Sequence, residues 1–89
     1  MSTKTRPWEQ IDVRTMGEAA KTEAPEPFAF LWRGRLYIVR EVIGTWTEPH
    51  MDGATVYRVT ASTGRGYGDA VYDIRLHAGL WAIQQVRDY

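Results

Sequence analysis

Eighty-nine residues make one small domain, and the absence of cysteine excludes disulfides, thiolate catalysis and cysteine-based zinc sites. Eleven basic side chains balance eleven acidic ones, so a net charge of zero supplies no general attraction to nucleic acid or to an anionic membrane. A domain this short buries only roughly 60% of the surface its unfolded chain exposes. Its four Trp, five Tyr and two Phe must therefore build the core, which leaves little room for a deep substrate cavity.

The segment Met1 to Pro7 lacks the apolar stretch of a secretory signal. No run approaches the ~20 apolar residues that span a bilayer. Together with the missing cysteines this points to the cytoplasm. Ile11 to Met16 alternates apolar and polar residues, the pattern of a half-buried strand. Gly17 to Pro27 (GEAAKTEAPEP) has two prolines and no apolar face, and reads as an exposed linker. Residues 1–27 are thus an irregular N-terminal extension with one strand over 11–16, and residues 28–89 are the domain proper.

Phe28, Phe30 and Trp32 share one face of a strand, with Ala29 and Leu31 on the other. Gly34 supplies the positive φ of a tight hairpin turn, built on either Arg33-Gly34 or Gly34-Arg35. Leu36 to Ile43 follows, apolar on both faces in its first half, which predicts a strand buried on both sides. Gly44 interrupts this run before Thr45-Trp46-Thr47 and marks a bulge or bend. Glu48 to Gly53 is a loop, Thr55 to Ala61 is a strand by composition, and Ser62 to Asp69 (STGRGYGD) is a flexible connection. Ala70, Tyr72, Ile74 and Leu76 then share a face, and His77-Ala78-Gly79 turns the chain into Leu80 to Val86. Five to six strands in succession, with no helix between them, give an all-β antiparallel meander curled into an SH3-like or OB-like barrel.

Little of this carries reaction chemistry. His50, Asp52 and His77 sit in loops and turns with no further ligand at metal-site spacing, so no metal or other cofactor is expected. Neither serine lies in a nucleophile-elbow pattern, and no acid–base pair stands out, so the chain reads as a non-enzyme. Gly64-Arg65-Gly66-Tyr67-Gly68 imitates a phosphate loop but is followed by a strand, not by the helix whose amides would meet the phosphate. It reads as a hairpin loop with Arg65 and Tyr67 at its tip. Arginines interleaved with aromatics form the one suggestive pattern. Trp32, Trp46 and Trp81 read as core. Arg33 and Arg35 flank an exposed hairpin tip, and Arg58 follows Tyr57. In a basic groove such residues could stack on single-stranded nucleic acid.

The run Phe30-Leu31-Trp32-Arg33-Gly34-Arg35-Leu36-Tyr37-Ile38-Val39 resembles a family of small uncharacterised bacterial domains. Its features are a Trp-Arg-Gly-Arg hairpin, a strand with Tyr-x-Val, and a tryptophan past the next bend, here Trp46. Tyr57-Arg58-Val59, Val71-Tyr72-Asp73-Ile74 and Gly79-Leu80-Trp81-Ala82-Ile83 continue the likeness over residues 28–88. The pattern is also similar to the C-terminal segment of the Y-family-like polymerase subunit of the bacterial inducible mutagenesis complex. That resemblance implies an accessory, noncatalytic role beside translesion DNA synthesis, with a polymerase or other repair protein as partner. The expected contact residues are Arg33, Gly34, Arg35, Tyr37, Arg58, Arg65 and Tyr67, with an exposed edge strand able to accept a strand of the partner. The alternative is a single-stranded nucleic-acid-binding barrel using the same arginines with Tyr37, Tyr57 or Tyr67 as platforms.

Overall fold

The computed structural model describes residues 8–15, 26–63 and 69–86. Six strands run in chain order: β1 (Glu9–Thr15), β2 (Pro27–Trp32), β3 (Arg35–Thr47), β4 (Thr55–Thr63), β5 (Ala70–His77) and β6 (Leu80–Gln85). Each pairs antiparallel with the next, and β6 pairs back onto β1, so the sheet closes into a barrel. The described residues contain no helix, and hence none long and apolar enough to cross a membrane.

The turns follow from backbone chemistry. Trp32 pairs with Arg35, and the two residues between them, Arg33 and Gly34, both have positive φ (53° and 79°). That is a type I′ turn, whose twist matches the strands it joins. Ala78 (φ 53°) and Gly79 (φ 81°) repeat the device between His77 and Leu80. The wider β3–β4 connection is held by its own backbone, with the Glu48 N–H donating to the Ala54 carbonyl at 3.0 Å and the Ala54 N–H to the Met51 carbonyl at 3.0 Å.

Alternation fills the interior. Ile11 of β1, Phe30 and Trp32 of β2, Tyr57, Val59 and Ala61 of β4, Tyr72 and Ile74 of β5 and Ile83 of β6 form the core, with Tyr37 and Trp81 packed against it. Phe30 stacks on Tyr37 with ring centroids 5.0 Å apart and planes 4° from parallel, while Tyr72 meets Phe30 and Trp32 edge-on, each at 5.6 Å. Rings in offset-stacked and edge-to-face contact add about 0.5–1.5 kcal/mol per pair beyond the area they bury. Burial also pushes the Tyr57 and Tyr72 hydroxyls above the usual tyrosine range.

Three expectations change. The barrel begins at Glu9, not Phe28: β1 lies between β2 and β6, pairing Val13 with Phe30 and Ile11 with Trp81. Closing the sheet pairs both outer ladders at once, and β1 is the strand that closes it. Closure also removes the free edge strand that a partner strand would have used. Finally, β3 is not buried on both faces; Leu36 is exposed and Tyr37, Ile38 and Val39 are half-buried. Among the described residues no second layer covers the outward side chains of this stretch of β3, Leu36 and Ile38. The bulge at Gly44 is present, as a register shift between Val42 and Gly44, and a second shift lies between Val39 and Glu41.

Candidate functional site

In the antiparallel barrel the β2–β3 hairpin and the C-terminal end of β4 lie at the same end. Arg33 lies over the Trp32 indole at 4.6 Å and its Nη2 donates to Glu9 Oε2 at 2.6 Å. Glu9 Oε1 accepts from Trp32 Nε1 at 2.9 Å. The hydrogen bond to Glu9, ahead of its charge, raises the Arg33 guanidinium above its ordinary range. Arg33 is therefore exposed but engaged, fastening β1 to the hairpin. Gly34 and Arg35 sit exposed beside it. Tyr37 turns inward onto Phe30, and Tyr57 is buried in the core, so neither ring offers a free face. Arg65 and Tyr67 lie outside the described residues.

Arg58 is elsewhere, on the outer wall. Its Nε and Nη2 donate to Asp73 Oδ1 and Oδ2 at 2.7 and 2.9 Å across the directly paired positions of β4 and β5. The guanidinium also lies 5.1 Å above the Trp46 ring. Trp46 in turn leans back over Gly44, where an added Cβ would stand 3.7 Å from its Cζ3. A methyl group at this position would meet the indole at ordinary van der Waals distance, so the indole packs over the bulge without requiring glycine there. Two register positions away, on the same outward face, Arg75 lies over the Trp8 indole at 4.4 Å.

The Arg58–Asp73 pair is a two-pronged ion pair whose carboxylate is almost buried and whose guanidinium keeps partial solvent access. Breaking a fully buried pair costs about 3–5 kcal/mol; with the arginine partly hydrated, Asp73→Ala is expected to cost about 1–3 kcal/mol in chemical denaturation. Asp73→Asn, which keeps an acceptor for Arg58, should lose less. An unchanged denaturation midpoint for Asp73→Ala would show that the pair contributes nothing to stability.

These side chains frame two depressions. One, about 390 Å³, lies between Trp46 and Trp8 over Val56, with His50 and Met51 of the β3–β4 connection at its rim. The other, about 220 Å³, lies beyond the Trp8–Arg75 stack and is lined by Gln10, His77, Leu80 and Trp81. Both are open and are lined in part by Arg75, the larger slightly more apolar than polar and the smaller more polar, which suits recognition better than reaction: Asp73 is already committed to Arg58. Among the described residues no group of three or more His, Asp or Glu is placed to hold a metal ion.

Of these residues only Arg58 was picked out by the sequence pattern. Trp46 had been assigned to the core, yet it is 37% exposed: the two bulges of β3 each add one residue, their parity changes cancel, and Trp46 comes to lie outward opposite Val56. Trp8 does leave a signal. It shares the polar face of β1 with Gln10, Asp12 and Arg14, and a tryptophan on the solvent face of an amphipathic strand invites a partner.

A family model described as a domain of unknown function, DUF6504, matches residues 1–88. No curated protein and no solved structure matches the chain.

Proposed function

The chain belongs to the DUF6504 family, and on that premise we propose that it is a noncatalytic module that docks another protein, in the setting of bacterial translesion DNA synthesis. The observation that carries the docking role is the pair of outward indoles, Trp8 and Trp46, each stacked on an arginine and separated by an open groove. Tryptophan and arginine are the side chains most often found to dominate binding energy at interfaces. A filled interior and a closed sheet leave side-chain contacts on the outer wall as the means of binding. The setting is supported by the likeness of the Trp32-Arg33-Gly34-Arg35 hairpin and the segments after it to the polymerase subunit of the mutagenesis complex.

The test is capture of the purified polymerase components of that complex on the immobilised chain. Wild-type protein should retain a component, and Trp46→Ala should weaken retention at least ~10-fold, the effect of losing an interface anchor. No retention by the wild type would sink the proposal.

A second reading has one observation in its favour: an exposed indole beside a stacked arginine is also a platform for a nucleobase. It requires fluorescence anisotropy of a labelled oligothymidylate to rise with added protein, and to rise less as salt increases. The balanced charge of the chain favours protein docking.

A further inference from the structure

Resting on the docking reading, we infer that the outer wall binds an extended peptide segment in which an acidic residue is flanked, two positions away on each side, by apolar residues. The two depressions share Trp8 and Arg75 in their linings, so the Trp8–Arg75 stack is the ridge between two adjoining subsites. On one side the exposed Trp46 overhangs the buried Val56; on the other the exposed Leu80 stands beside Trp81 and Ala82. These side chains offer apolar contact at each subsite beside polar edges, and the ridge presents a cation.

Register sets the spacing. Trp46 pairs with Val56, Val56 with Arg75, Arg75 with Ala82 and Ala82 with Gln10, so one row of outward side chains crosses the wall with Arg75 at its centre. Strands lie ~4.8 Å apart, so the row spans about 19 Å, and Val56 and Ala82 are about 10 Å from each other. An extended chain rises ~3.3 Å per residue and places every second side chain on one face. Three same-face residues at alternate positions therefore span about 13 Å, which sets the outer two over the subsites and the middle one over the ridge.

Charge selects the middle residue. The Arg58 and Asp73 charges neutralise each other through their paired contact. Among the described residues Arg75 has no carboxylate within ion-pair distance, and its guanidinium edge, with one face on Trp8, is left to fork onto an incoming carboxylate. Glu48 lies at the far rim of the larger depression and disfavours a second acidic residue there.

The experiment selects a displayed library of random heptapeptides on the whole chain, then measures the enriched sequence as a synthetic peptide by tryptophan fluorescence. Enriched peptides should carry Asp or Glu with an apolar residue two before and two after. Arg75→Glu should weaken the synthetic peptide at least ~10-fold, and replacing the peptide's acidic residue by lysine should restore binding to that variant. Such recovery also shows that the variant is folded, and Arg75→Gln, with no reversed charge, should give an intermediate loss. Enrichment without an acidic position, no enrichment at all, binding indifferent to Arg75→Glu, or displacement of the peptide by oligothymidylate would each overturn the inference. If polymerase capture depends on Trp46 while no such peptide emerges, the peptide inference alone fails. If the peptide binds as described and no polymerase component is captured, the translesion setting alone fails.

Discussion

A chain cut back to residues 26–89 is expected to be unfolded, with a random-coil far-ultraviolet spectrum and collapsed amide dispersion in NMR. The cut removes β1 and with it the closure of the barrel. Ile11 leaves the core and Val13 leaves its margin, a loss of about 1.5–3 kcal/mol for each fully buried side chain of this size. Two ladders are uncovered at once, on β2 from Pro27 to Leu31 and on β6 from Trp81 to Ile83. Trp32 and Arg33 also lose Glu9, their shared acceptor. Against a total stability of about 5–15 kcal/mol for a domain, these losses together are decisive. A cooperative thermal transition in the 26–89 fragment would show instead that five strands suffice and that β1 is an accessory.

Phe30→Ala is the single substitution expected to do most damage, about 3–5 kcal/mol by guanidinium denaturation. Phe30 is fully buried, stacked on Tyr37 and edge-on to Tyr72, so truncation leaves a hole bordered by two rings. In a barrel the surrounding strands are tied to one another all the way round and cannot collapse inward to fill it. Phe28 provides the control, since it has the same side chain on the same strand but lies 44% exposed where the β1–β2 register skips it. Phe28→Ala should cost less than about 1 kcal/mol, within the range of surface substitutions and small apolar losses. Equal effects at the two positions would mean that the ring cluster is not the packing centre of the fold.

Much of the local structure could be read along the chain. The Arg33-Gly34 and Ala78-Gly79 turns follow from glycine's freedom at positive φ, and the inward placing of Phe30, Trp32, Tyr72 and Ile74 from the two-residue period of a strand. The bulge was marked by Gly44 interrupting a strand pattern, although Gly44 itself is not at positive φ. The candidate site was less legible. Arg33, Gly34 and Arg35 stand at the exposed hairpin as the pattern implies, but the ion pair that engages Arg33 involves Glu9, which no local signal links to it. Tyr37 stood out as an aromatic among arginines, a possible stacking platform, yet its pairing with Phe30 turns it inward.

By itself, then, the sequence determined the strand-rich class, the hairpin turns and the aromatic residues from which a core had to be made, because those depend on neighbours one to four positions apart. Tertiary structure alone decided that Glu9–Thr15 closes the barrel, that Trp46 faces outward, and that Trp8, Arg75, Arg58 and Trp46 stand side by side on one wall. The physical reason is that pairing between distant strands, and the two bulges in β3 whose parity changes cancel before Trp46, are settled by which arrangement buries the rings and satisfies every ladder at once.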